Sequence, residues 1–340
     1  MSTLQISLAV AGGVVLAAVV AHGAWQARRN QPRQADPGPT RVDPEGGNTA
    51  FDPVFDAAQF PLPTPEKKPG LDALIDVIVP LTLEHPVSGD AVLAAMPATR
   101  RVGSKPFALE GFNEESQTWE LPTVGQRYNI LQAGVQLANR SGALNDIEYS
   151  EFVVKAQALG DVLGATPEFP EMRDEVARAR ELDQFASPHD AQLSVTLRAR
   201  HTAWSPGYVQ QNAARLGFVA GVIPGRMVLP AGVAGQPSVL GLSYDSQAAL
   251  AEDPTQSAIH ELSLNLDVPQ VNRQEQPFVR MRLAAQQLAD TMDGLVTDDN
   301  GQLLNAQALD VIGSELEKLY DALDAHDLSA GSALARRLFS

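Results

Sequence analysis

Residues 71–335 run twice through the same order of elements, and this repetition limits the fold more than any other feature of the chain. The first pass opens with a strand over Ile75–Leu83, where Pro80 points to an edge or a bulge. A short helix capped by Ser88 follows over 88–96. Strands are expected near Phe107–Phe112, Thr118–Leu121 and Tyr128–Ala138, then helices over Asn145–Gly164 and Glu171–Ala186. The second pass opens with a strand over Gln192–Arg200. A helix begins at Ser205, with Pro206 at its first position, and stops at Gly217. Strands over Phe218–Leu229, Ser238–Ser243 and Ile259–Val268 precede a helix over Pro277–Asp293. A hairpin over Leu295–Leu304 turns at Asp299-Asn300-Gly301, and Asn305 caps a last helix reaching about His326.

Two short likenesses fall in the same order in both passes. Ala156-Gln157-Ala158-Leu159-Gly160-Asp161 is similar to Ala285-Gln286-Gln287-Leu288-Ala289-Asp290, and 79–85 is similar to 195–201. The alternative is a chance likeness of two α+β runs. The expected fold class is α+β: two tandem domains, over 71–187 and 190–330, each an antiparallel sheet with helices on one side. Leu262, Leu264 and Leu266 alternate with Ser263, Asn265 and Asp267, so one sheet face is core and the other open.

Ahead of these domains, residues 4–21 are uncharged and apolar, Trp25 follows, and Arg28, Arg29, Arg33 and Arg41 come after. About 20 apolar residues span a bilayer as a helix. Residues 1–25 are therefore expected to be a transmembrane anchor. Positive charge stays on the cytoplasmic side, so the N-terminus is periplasmic and the domains are cytoplasmic, at the cell inner membrane. A cleaved signal peptide would need its charges before the run. The small residues Ala9, Gly13 and Ala17 could pair two anchors into a homo-oligomer, or simply be tolerated by lipid. Residues 26–69 hold nine prolines and no apolar periodicity, and are expected to be a disordered linker. As coil it reaches about 40 Å, and as polyproline II about 130 Å. Phe51, Phe55 and Phe60 stand out in it.

Residues 1–70 hold six basic and six acidic side chains, so the net charge of −16 belongs to 71–340. An acidic module repels phosphates, which argues against nucleic acid and favours a basic polypeptide partner. With no cysteine, disulfides, thiol chemistry and Cys-based zinc sites are excluded.

No catalytic set holds. The six histidines have no ligand spacing, and His260-Glu261 lacks the second His of a zinc helix. Gly241-Leu242-Ser243-Tyr244-Asp245 has Asp where a nucleophile elbow needs Gly. No phosphate loop or dinucleotide fingerprint is present, and 298–301 lacks the distant Glu of a calcium loop. No cofactor, no metal and no enzyme activity are expected. What remains is the open sheet face. Alternation puts Val219, Gly221 and Ile223 on it from one strand, and Val239, Gly241 and Ser243 from the next. Glycines there would leave a shallow groove floored by backbone, suited to an amphipathic peptide. Alternatively they only ease sheet twist.

The order of anchor, Pro-rich linker and α+β head resembles the ZipA family of bacterial cell-division proteins. Within 190–330 the likeness rests on Gly217-Phe218-Val219, Leu266-Asp267-Val268-Pro269, and Ala285-Gln286-Gln287-Leu288-Ala289-Asp290 followed by Asp298-Asp299 and Leu304. The resemblance implies a split β-α-β domain that binds the C-terminal tail of FtsZ, as a mostly helical peptide on the open sheet face, and tethers the filament to the inner membrane. By position it implies partner contacts at Leu193, Val219, Ile223, Val239, Ser243, Asp245 and Asn265. Ser243, Asp245 and Asn265 are more polar than the large apolar groups the family places there. The tandem first domain lies outside the usual single-head pattern. The competing expectation is a membrane scaffold whose heads self-associate or hold another envelope protein.

Overall fold

The structure, a computed structural model, describes residues 32–35, 70–233, 235–251 and 257–340. The anchor expected over 4–25 and the three linker phenylalanines lie outside these residues. No helix among the described residues is long and apolar enough to cross a membrane. The chain is mixed α+β with antiparallel sheets and divides into two compact units.

The N-terminal unit comprises residues 65–191 with 268–273 and 316–340. Its strand β1 (Asp76–Ser88) leads to α1 (Gly89–Ala95), with the Ser88 hydroxyl capping the Ala91 N–H. Strands β2 (Arg101–Val102), β3 (Lys105–Asn113), β4 (Thr118–Glu120) and β5 (Arg127–Gln136) follow. The short β6 (Ala138–Asn139) and β7 (Gly142–Ala143) pair with each other. Helix α2 (Asp146–Leu163) starts at a reciprocal cap between Asn145 and Glu148, and stops at Gly164 with φ +63°. Strand β8 (Ala165–Pro167) and α3 (Met172–His189) complete the run.

The C-terminal unit comprises 192–267 and 274–315, and includes described residues 32–35. It holds β9 (Gln192–Ala199), α4 (Pro206–Arg215), β10 (Val219–Ala220), β11 (Arg226–Leu229), β12 (Leu240–Tyr244), α5 (Ser246–Leu250), β13 (Glu261–Asp267), α6 (Pro277–Met292) and β14 (Gly294–Thr297). Helix α7 (Ala306–Ala325) runs past the unit boundary, and α8 (Ala333–Leu338) belongs to the N-terminal unit.

The two sheets share a pattern. The first has the order β2-β3-β5-β1-β8, with β4 also on β3; the second has β10-β11-β12-β13-β9-β14. In each, the opening strand lies between the strand that precedes the long helix and the strand that follows it, all antiparallel. In the C-terminal unit, α6 turns Met281, Ala284, Ala285, Leu288 and Met292 inward at helical spacing, onto β9, β13 and β14. Trp204 is fully buried, and its indole N–H donates to the Met292 carbonyl at 2.8 Å. In the N-terminal unit Tyr149, Phe152, Ala156 and Leu159 of α2 join Val77, Val79, Leu81, Leu109 and Leu131.

Four details differ from the sequence expectation. First, Phe218–Leu229 is not one strand. Pro224 and Gly225 break it into β10 and β11, with Gly225 at φ +78° and its carbonyl accepting from the Tyr244 N–H. Second, within the linker expected over 26–69, residues 32–35 are seated on the C-terminal unit. The Arg33 N–H donates to Ala203, its carbonyl accepts from Ser205, and its guanidinium lies 3.3 Å from Asp293. Third, residues 268–273 and 316–330, expected with the second domain, pack in the N-terminal unit, where Gln270 donates to the carbonyls of Arg336 and Phe339. Fourth, Pro80 sits in an interior strand; its carbonyl accepts from the Glu168 N–H at 3.1 Å, and the missing Pro80 N–H leaves the reciprocal bond unmade where the β8 pairing of 81–83 ends.

Candidate functional site: the open face of the second sheet

Helix-free faces are treated differently in the two units. In the N-terminal unit the face opposite the core carries Ile78, Ala108, Glu110, Gln132 and Gly134. The chain's own Leu71 lies on Gly134: a Cβ there would come within 2.3 Å of the Leu71 side chain. The Leu71 N–H donates to the Glu110 carboxylate at 3.0 Å, and Gln132 donates to the same group at 2.8 Å. Arg337 closes the end of this face through Asp76 at 2.5 Å and the Gly70 carbonyl at 3.0 Å. Burial pushes the Asp76 carboxyl above the usual carboxylate range, and the Arg337 charge only partly offsets it.

The corresponding face of the C-terminal unit remains accessible. Cross-strand partners share a face, so the register defines its rows. One row runs Val219, Val228, Gly241, Asn265, Ser194; the next runs Arg226, Ser243, Ser263, Thr196, Thr297. A hollow of about 710 Å³ lies over part of them, lined among others by Ser194, Arg226, Val228, Gly241, Ser243, Asn265, Asp267 and Asp299, while Thr196 and Thr297 at the end of the second row are buried. A second, of about 500 Å³, shares Ser243 and continues past Asp245, His260 and Glu261. The Asn265 side-chain amide donates to the Ser243 hydroxyl at 3.2 Å. Gly241 leaves the floor low, and a Cβ there would meet nothing nearer than 3.9 Å. Val219, Val222 and Ile223 form an exposed apolar rim, Val219 and Ile223 at 50% and 52% exposure. Among the described residues no cluster of three or more side chains has metal-holding geometry.

Of the residues expected here, Val219, Ser243 and Asn265 do lie on the open face. Ile223 lies in the turn before β11, at the rim rather than in a strand. Asp245 follows β12 and caps α5 by accepting from the Gln247 N–H, at the wall of the second hollow. Leu193 is corrected: it pairs with Leu266, and its side chain is on the core face. Val239 is corrected too. It precedes β12, its N–H donates to Leu229, and it is only 1% exposed. Arg226 and Val228 were missed. Reading one strand through Phe218–Leu229 carried the wrong phase past the turn, and a one-residue slip sends each side chain to the other face. The Pro224-Gly225 pair was the available signal.

A sheet packed by helices on one side and bare on the other makes this unit an α+β module with a free β-surface. Residues 250–315, which span β13, α6, β14 and the start of α7, match the family model described as ZipA, C-terminal FtsZ-binding domain. The match covers these 66 residues and makes this part of the chain similar to that domain. It includes Asn265 but not the other residues expected at the groove. No curated protein matches the chain.

Proposed function

We propose that the chain is a non-enzymatic cell-division adaptor whose C-terminal unit binds the C-terminal tail of FtsZ on its open sheet face. The observation that carries this reading is the accessible face itself, in the unit that matches the FtsZ-binding family model. The family match lies in the second unit, which supports assigning the guest to its sheet; the first sheet carries a hollow of about 470 Å³ beside Leu71 and Arg337. In this reading residues 4–25 anchor the chain in the inner membrane with the N-terminus outside. The linker then lets the cytoplasmic units search for filaments near the bilayer. The N-terminal unit is a divergent copy that serves as a brace.

Calorimetry of the full chain with an FtsZ tail peptide tests the reading. Two substitutions localise the site. Ile223→Glu places a carboxylate at the rim, where a docked guest would strip it of water at a cost of several kcal/mol, so affinity is expected to fall at least about thirtyfold. Gly241→Leu fits the free fold, because the floor has room, but fills the hollow. Tail binding unchanged in both folded variants would move the site off this face. Absence of tail binding together with self-association of the chain would favour a scaffold instead.

A further inference from the structure

The floor of the second sheet is not uniform across its strands. At the β10–β11 end lie Val219 and Val228 with one cation, Arg226, which is exposed. Among the described residues Arg226 makes no ion pair or side-chain hydrogen bond. In the middle Gly241, Ser243 and Asn265 are small or neutral. Asp267 closes β13, the strand of Asn265, and at the far end Asp299 stands in the turn after β14, both on the wall of the same hollow. Apolar surface, positive charge, neutral floor and negative charge therefore follow one another in a single direction.

From this, we infer that the hollow fixes the direction of its guest. The occupant is a peptide with an apolar end that also bears a carboxylate, placed over Val219, Val228 and Arg226. Its other end carries a basic side chain that meets Asp267 and Asp299. The inference rests on the peptide-binding reading above and adds to it the charge order of the partner. Four strand spacings of about 4.8 Å separate β11 from the turn after β14, about 19 Å in all. That distance is about three and a half turns of a helical guest. Charged pairs at such a rim select orientation and partner more than they add affinity. The apolar contacts would hold the guest, while Arg226 and the two acids decide which way round it lies.

Fluorescence anisotropy tests this with the full-length chain and a labelled FtsZ tail peptide at low and high salt. Arg226→Glu is expected to weaken binding at least tenfold at low salt, and Asp299→Lys about fivefold. Both losses should shrink at high salt. A peptide with its acids changed to lysine should recover affinity for Arg226→Glu and lose it for the wild-type chain. Arg226→Gln removes the charge without reversing it and guards against a folding artefact, because it should fall between wild type and Arg226→Glu. If the wild-type chain binds the tail and all three variants stay within twofold of it, the charge order is wrong while the peptide-binding function stands. If the tail does not bind the wild-type chain, both fall.

Discussion

Replacing Arg337 with Met would expose how the C-terminal helix holds the N-terminal unit. Arg337 donates to Asp76 at 2.5 Å and to the Gly70 carbonyl at 3.0 Å, and the Asp76 side chain is fully buried. Without the guanidinium, Asp76 is either a buried unpaired anion or takes up a proton. Protonation is the cheaper escape, and it caps the cost. From the ordinary carboxylate value of 3.8 to pH 7, the cap is about 4 kcal/mol at 1.36 kcal/mol per unit. Part of this already burdens the wild-type chain, because burial raises the Asp76 pKa even beside Arg337. The expected loss at pH 7 is therefore about 3 kcal/mol, within the range for removing one partner of a buried pair. The sign follows from the raised value. Stability linked to Asp76 is fully present below the unfolded pKa and is lost as pH rises through the folded one. The loss in Arg337→Met should thus fall below about 1 kcal/mol near pH 4. Hydrogen exchange of peptides spanning β1, corrected for intrinsic rates, reads this as about a hundredfold drop in protection at pH 7. Peptides spanning β13 serve as an internal reference. Adding Asp76→Asn should restore much of the protection. A loss of equal size at pH 4 and pH 7 would refute the electrostatic account, and so would no loss at pH 7.

Two further substitutions test local claims in each unit. Lys105 is 1% exposed, with its ammonium bonded to Ser104 at 2.7 Å and Asn139 at 3.1 Å. Burial holds its pKa below the usual lysine value, with Glu148 and Asp183 opposing. The wild-type chain is then expected to gain stability as pH rises from the lowered folded value of this ammonium towards the ordinary lysine value of 10.5, because the folded state gives up its proton first. Lys105→Met should lack this gain in urea titrations and be about 1 kcal/mol more stable at pH 7; a marked loss of stability would contradict the claim that the charge is a burden. At Gly225 the backbone has φ +78°, and a Cβ would approach the Tyr244 carbonyl to 2.8 Å. Gly225→Ala is expected to cost about 2 kcal/mol, read as a lower midpoint in thermal unfolding followed by Trp204 fluorescence, and a neutral result would show that the turn rearranges freely.

Local chemistry fixed a good deal of this protein. Ser88, Asn145, Ser205 and Asn305 cap the helices that their positions announce, because a side-chain oxygen next to an apolar period satisfies free N–H groups wherever the helix later packs. Likewise the alternation of Leu262, Leu264 and Leu266 with polar neighbours gave the core face of β13, since a strand in contact with one core has no other way to place them. The groove was less legible. Val219, Ser243 and Asn265 were found from alternation, but Leu193 and Val239 were not placed correctly. Val239 has the parity of Gly241 and Ser243 but lies before β12, where strand alternation no longer applies, and Leu193 came from the family resemblance rather than from alternation.

Only the tertiary structure decided which β-surface is free. Both sheets carry the same alternation along their strands. Yet Leu71, far from Gly134 in the chain, lies on part of one of them, and Arg337 reaches its end from more than 200 residues beyond, leaving a hollow of about 470 Å³ between them. Periodicity records which side of a strand is apolar. It cannot record which distant segment comes to lie on the other side, because that is settled by long-range contacts with no pattern in the local sequence.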